Sequence, residues 1–430
     1  MMRISTPQIN FNGIQGVRKH SEDLYKIQEK LSSGQRVNRP GDDPVAAARI
    51  YTIDKSIKQL DQFNANGMFA QGKLELEDTT LTNFTDVMQR IRELTIYGMN
   101  DTQSTNGRQA IAAEMRGLLE NLKALANTQD SNGEYIFSGD KSTTPAYQAV
   151  TAANLESLGT GIPSVSGPVT TGVVNPPLQT TAEPTAYFTK IAAAGTPVEV
   201  RAIDGSTVNS VTTSANQIVD NFNGKLYTLN PTTQAYEDAQ GEPLYAYTGS
   251  HTGARFVQVS PDNDHIDNGN DMGDASRVRV SDMGARVFGY YDKTSSTPWK
   301  PSYDVNKNPQ LNYNIFDTMR EMINQLESGQ SGAGAVVGNT KLDDYLAEID
   351  TSLEAIRNTQ ADVGTRLQRI DMQNQMNQDF KVGLSETLSK LRDQDLVSGI
   401  DSYQKILTSL QLSQQTFAKL SEMSLFNYIR

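Results

Sequence analysis

LSSGQRVNRPGDDPVAAARI, residues 31–50, separates two stretches of helical periodicity, and its reading decides the fold. Gly34 offers the left-handed backbone of a helix exit, and Asp43-Pro44 supplies a cap followed by a residue suited to the first helical position. The segment parses as stop, corner and start. A phosphate loop would draw on similar residue types, but a glycine-spaced run ending in Lys-Ser or Lys-Thr is absent. The residues therefore predict two helices joined by a tight connection.

Before the corner, Thr6-Pro7 can open a helix in which Ile14, Val17, Leu24 and Leu31 fall on one stripe, with Ser21 and Gln28 at its weaker positions. After it, the pattern runs from Pro44 to about Gly98 through Ile50, Ile53, Ile57, Leu60, Leu74, Leu81, Phe84, Met88 and Ile91. At 1.5 Å per residue this is about 80 Å of helix, and so narrow a stripe calls for a partner helix along its length. A polar break at 100–106 precedes a third helix carrying Ile111, Met115, Leu118, Leu122 and Leu125.

The texture then changes. NGEYIFSG, residues 132–139, reads as a turn and short strand. From 143 to 310 the chain is rich in Thr, Ser, Gly, Pro and Val, with alternating pieces at 197–200, 256–259 and 277–280 that predict strands with one wet face. Helical signal returns near Ile315. From Leu342 it becomes a heptad stripe through Leu346, Ile349, Leu353, Ile356, Val363, Leu367, Ile370, Leu384, Leu388 and Leu391. Gln360, Asn374, Asn377 and Lys381 share that register and can fix alignment, as buried polar residues do in coiled coils. A last segment carries Tyr403, Leu407, Leu410 and Phe417 before Leu425, Phe426, Tyr428 and Ile429.

This order predicts a mainly α protein with an inserted β-rich domain, its N- and C-terminal helices paired in an antiparallel coiled-coil rod. The expected parts are terminal helical assembly segments at 1–43 and 398–430, a helical domain with a short hairpin at 44–142 and 311–397, and an outer β-rich domain at 143–310. Isolated amphipathic helices of the terminal length are marginal in water, so the end segments are expected to be disordered alone and to order against neighbours. That makes Ile14, Val17, Leu24, Leu31, Leu407, Leu410, Phe417, Leu425 and Phe426 candidate subunit-interface residues. Arg36, Arg39 and Arg49 are the candidates for charge matching at the same interface. Unlike sticky patches on one molecule build an open helical array.

Composition narrows the function classes. Of 430 residues, 38 are Lys or Arg and 50 are Asp or Glu, a formal net charge of -12 that disfavours nucleic acid and anionic membrane as partners. The chain contains 0 cysteines, which excludes disulfides and thiolate ligands. Apolar runs are far too short to span a bilayer, and MMRISTPQIN lacks the apolar segment of a cleavable leader, so the chain is expected to start at its own methionine. His20, His251 and His265 form no motif, and neither a metalloprotease HExxH nor a GxSxG elbow occurs. The acidic run at 260–274 fails the EF-hand pattern, since Ile266 and Ala275 fall where ligands are required. GQSGAGAVVG at 329–338 lacks dinucleotide-loop spacing and reads as a joint. Catalysis, cofactors and metals are not expected.

Five motifs in order, MRIST, LSSGQRVNRPGDDPVAAARI, RELTIYGMND, AIAAEMRGLLENLKALANTQDSNGEYIFSGDK and DVGTRLQRID, with a terminal SLFNYIR, resemble the bacterial flagellin family and, within it, its hook-filament junction members. The resemblance covers roughly 1–141 and 340–430. It implies a secreted axial subunit of the extracellular flagellum, passed unfolded through a type III export channel and polymerised between hook and filament. The implied partners are other copies of the chain, the first hook-associated protein on the hook side, flagellin on the filament side and an export chaperone. A major flagellin is the closest alternative, disfavoured by the MRIST start and FNYIR-like end. A secreted adhesin carried on flagellin-like helices is the more distant one.

Overall fold

The computed structural model describes residues 6–100, 103–155, 164–165, 173–174, 188–191, 197–201, 207–212, 216–220, 226–250, 254–261, 276–289, 314–328, 336–337 and 340–426. Seven helices run in order among them: α1 Thr6–Ser33, α2 Pro44–Gly98, α3 Thr105–Ala126, α4 Gly284–Val287, α5 Ile315–Glu327, α6 Leu342–Arg392 and α7 Leu396–Phe426. Two compact units emerge, one of Met1–Ala65 with Asn374–Arg430, the other of Asn66–Gln373. The division falls inside both α2 and α6. The boundaries drawn from sequence mark changes of periodicity and helix breaks, not the edges of packed clusters.

In the larger unit α2 and α6 run antiparallel. Arg92 pairs with Asp350 at 2.5 Å while Gln360, ten residues further along α6, donates to Thr82, ten residues back along α2, at 3.1 Å. Most buried positions of α2 in the larger unit follow heptad spacing, Ala70, Leu74, Glu77, Leu81, Phe84, Met88, Ile91 and Thr95, with Lys73, Thr80 and Leu94 beside the stripe. On α6 the matching positions are Ile349, Ser352, Ile356, Thr359, Val363, Arg366 and Ile370. A repeat of 3.5 residues keeps each stripe facing its partner along the helix. Two charged residues, Glu77 and Arg366, thus stand where the pattern calls for apolar ones.

Local chemistry sets the helix ends. The Ser104 hydroxyl accepts from the Gly107 amide at 3.1 Å to start α3, and the Asn314 side chain accepts from Asp317 at 2.9 Å to start α5. Between α3 and the insert, NGEYIFSG forms a turn closed by a single bridge, Gln129 to Tyr135, where the sequence suggests a strand. The Tyr135 amide turns to Ser142 and the Ile136 amide to Thr128, so a ladder does not propagate.

The insert supplies short strands. Ser164–Val165, Phe188–Ile191, Gln217–Asp220, Leu226–Leu229 and Tyr236–Glu237 form a five-stranded sheet in that order, its first pair parallel and the rest antiparallel. Val173–Val174, Pro197–Arg201 and Thr207–Thr212 form a second sheet. Tyr147–Ala149 pairs antiparallel with Tyr245–Tyr247, and Phe256–Gln258 with Arg277–Arg279. The expected strands at 197–200, 256–259 and 277–280 are thus present; α4, inside the insert, has no signal in the sequence.

Side chains from the insert's flanks belong to the main core. Phe288 stacks on Phe84 at 4.4 Å between centroids and meets Phe137 edge-on at 4.8 Å, while Tyr147 meets Phe316 at 4.6 Å. Tyr147 donates its hydroxyl to the Gly284 carbonyl at 3.1 Å, and Tyr247 to those of Phe137 and Ser250 at 3.0 and 2.9 Å. Gly249 has to be glycine here, since a Cβ would come within 2.9 Å of the Ser138 Cα. A separate small cluster of Val150, Leu155, Ile218, Tyr227, Tyr236 and Leu244 serves the five-stranded sheet.

Candidate subunit interface

The smaller unit holds α1, the corner, the first turns of α2, the end of α6, and α7. The corner forms as the sequence predicts. Gly34 adopts φ +68° and ends α1, and the Asp43 carboxylate accepts from Ala46 at 3.0 Å to start α2. That amide bond holds the Asp43 carboxyl below its ordinary range. Asp42 accepts from the amides of Arg39 and Asn38 at 3.1 and 3.2 Å and is likewise lowered.

The corner is also stitched to the far end of the chain. The Arg36 amide donates to the Arg392 carbonyl at 2.7 Å, the Gln394 amide to the Gly34 carbonyl at 2.9 Å, and the Arg36 guanidinium to the Leu391 carbonyl at 2.7 Å. Further along, Lys381 pairs with Asp61 at 2.5 Å, so α2 and α6 are antiparallel in this unit too. Of the three candidate arginines, Arg36 is engaged within the chain and Arg39 pairs with Glu29 at 2.9 Å on the surface. Arg49 is exposed.

Helices α1 and α7 lie antiparallel along each other. A Cβ at Gly13 would meet the Phe417 ring at 2.8 Å, and one at Gly399 would meet Leu31 at 2.7 Å, so the helices touch near both ends. Yet the contact closes no core. Val17, Leu24, Leu31, Leu407, Leu410 and Phe417 are only half-buried, and Ile14 is 53% exposed. Among the described side chains of α1 and α7, none that is apolar becomes buried apart from the backbone of Gly399. Leu425 and Phe426 lie outside the described side chains. By contrast, Leu74, Leu81, Phe84, Met88 and Ile91 of α2 and Ile349, Ile356, Val363 and Ile370 of α6 are fully enclosed in the larger unit.

Further apolar side chains extend this open face. Phe11, Tyr25, Val397, Ile400 and Leu412 are all more than half exposed, as are Val45 and Tyr51 at the start of α2. Ile400 could have been found, since it stands three residues before Tyr403 on the α7 stripe. Phe11 and Tyr25, two heptads apart, form a second line on α1 that is visible only once the face towards α7 is known. Among the described residues, no helix is long and apolar enough to cross a membrane.

Residues 4–142 match the family model of the bacterial flagellin N-terminal helical region, and the chain is flagellin-like in that region. More particularly, it is 34% identical over 146 residues to flagellar hook-associated protein 3 of Escherichia coli strain K12, 34% of this chain and 46% of that protein. It is 31% identical over 130 residues to a flagellin of Clostridium tyrobutyricum, 30% of this chain and 34% of that one. The chain spans about half the length of the curated hook-associated proteins it matches, 46% and 47%. A crystal structure of hook-associated protein 3 from Legionella pneumophila, 18% identical, superposes with a TM-score of 0.46 over 80% of this chain and 98% of that one.

Proposed function

We propose that this chain is a structural, non-catalytic axial subunit of the bacterial flagellum that polymerises through its paired terminal helices as the junction between hook and filament. One observation carries the reading: α1 and α7 find each other but leave their apolar stripes half-open, so the missing burial has to come from other molecules. About 1–2 kcal/mol of backbone entropy per residue opposes ordering of these helices, and neighbouring subunits supply what the lone pair lacks. Ile14, Val17, Leu24, Leu31, Leu407, Leu410, Phe417, Leu425 and Phe426 form the proposed seam, while Arg39 and Arg49 set its register. Arg36 first serves the corner and presents that corner rigidly.

The partners under this reading are other copies of the chain, the first hook-associated protein on the hook side, flagellin on the filament side and an export chaperone before assembly. The site of action is the extracellular flagellum. A filament subunit is the second reading, supported by the flagellin relative 31% identical over 130 residues. Deleting the gene separates the two. A junction subunit predicts cells that keep a hook and release flagellin into the medium as monomer; normal filaments on that strain would refute the junction role, and loss of flagellin itself would favour the filament reading.

A further inference from the structure

Glu77 stands at a heptad position inside the α2 stripe and is 1% exposed, with both carboxyl oxygens lacking a conventional donor. An ionised carboxylate in such a place pays a large desolvation cost unless N–H or O–H groups reach it. The group within hydrogen-bonding reach is another carboxyl, that of Asp282, itself 3% exposed. Two carboxyl groups can share a hydrogen bond only if one of them carries a proton.

The arginines decide which one. Arg366, from the α6 stripe, grips Asp282 through two bonds of 2.8 and 3.2 Å, and Arg279 reaches it at 2.7 Å. Counting charges alone, two guanidiniums could balance two carboxylates. Their bonds, however, go to Asp282 and leave Glu77 without a guanidinium N–H. Burial pushes the Glu77 carboxyl well above its ordinary range, and the Asp282 charge adds to the rise; against its own burial, Asp282 is held low by Arg279 and Arg366. The other cations nearby are committed. Lys73, one turn away on α2, pairs with Asp130 and Glu134 at 3.1 and 2.6 Å, and Arg369 on α6 donates to the Arg277 carbonyl.

We propose that Glu77 retains a proton in neutral solution and donates it to Asp282, forming a proton-bridged clasp that holds α2, α6 and the 276–283 segment together and opens when that proton leaves in alkaline solution. The segment is well placed to respond. It carries the strand Arg277–Arg279 of a two-stranded pair and leads directly into the α4 turn beneath Phe288. Because the folded Glu77 binds its proton more tightly than the unfolded chain does, its contribution is complete below the unfolded value of 4.5 and is lost as pH rises through the folded value. Above that value each pH unit multiplies the open fraction about tenfold.

Two measurements on the whole chain test this. Infrared spectroscopy at neutral pH should show a protonated-carboxyl band that titrates away in alkali and is absent from Glu77→Gln. Amide exchange across 276–283, corrected for the intrinsic effect of pH, should accelerate about tenfold per unit at alkaline pH in the native chain and stay flat in Glu77→Gln. A neutral-pH spectrum without that band, or an equal alkaline slope in the variant, overturns the proposal. Should Glu77→Gln fail to fold, isotope-labelled carboxyl NMR of the native chain decides it: a Glu resonance that titrates in alkali supports the clasp, and ordinary acidic titration of every Glu overturns it.

Discussion

Replacing Leu410 by Asp perturbs the proposed seam where its consequence can be worked out. Leu410 is half-buried on α7, the helix that lies along α1. Full burial of a leucine side chain contributes about 1.5–3 kcal/mol, so at most about 1 kcal/mol is left for an incoming subunit to gain. Aspartate forfeits this gain and adds the cost of desolvating a charge, which the group limits by protonating. A combined loss of about 3–4 kcal/mol per subunit, at about 1.4 kcal/mol per decade, raises the concentration needed for polymerisation roughly 100- to 1,000-fold. The larger unit does not contain residue 410 and should keep its melting transition by circular dichroism. Sedimentation of polymers over a concentration series reads the first quantity. If Leu410→Asp assembles within about threefold of the native threshold, less than 1 kcal/mol is at stake and the half-open stripe is not the seam.

Amide exchange in the free chain should be fast along α1 and α7 and slow at the enclosed stripe of α2 from Leu74 to Ile91, with α1 and α7 becoming protected in polymers; equal protection before and after assembly would contradict this. Phe84→Ala should destabilise the larger unit by about 3–5 kcal/mol in denaturant unfolding, because the side chain is enclosed and stacks on Phe288, and a loss under about 1 kcal/mol would show that the core there is loosely packed. Asp317 gives a pH signature: burial lifts its carboxyl from 3.8 to about 6 against the pull of Arg320, so its contribution to stability is complete below 3.8 and is lost as pH rises to about 6. Asp317→Asn should remove that decline, worth up to about 3 kcal/mol, and an unchanged difference between pH 4 and 6 would refute the assignment.

Legibility followed the range of the forces involved. The corner at 31–50 could be read because Gly34, Asp43 and Pro44 act on backbone within a few residues. The long helices could be read because their period repeats over many turns. What escaped depends on distant partners. The grip of Arg36 on the Leu391 carbonyl joins residues 355 positions apart. Phe288 lies in a stretch of strand-like texture and joins the helical core only because Phe84 and Phe137 await it. Glu77 and Arg366 escaped for a related reason, since a charged residue at a heptad position reads as a break in the stripe until its counterpart from another element is known. For the seam, spacing marked the apolar line on each terminal helix, but how little the two lines cover each other is visible only in the folded pair.

Tyr147 and Tyr247 sit opposite each other where the outward and returning strands leave the helical core, and both are tethered by their hydroxyls to main-chain carbonyls. This makes a doorway of fixed width. The helices hold the two ends of the chain threaded between the tyrosines and touch its body through a few polar contacts, Arg320 donating to the Tyr227 hydroxyl and Asn324 to Asp238, each at 2.9 Å. Remodelling of the outer chain therefore spares the helical core as long as the doorposts and those few polar partners are kept.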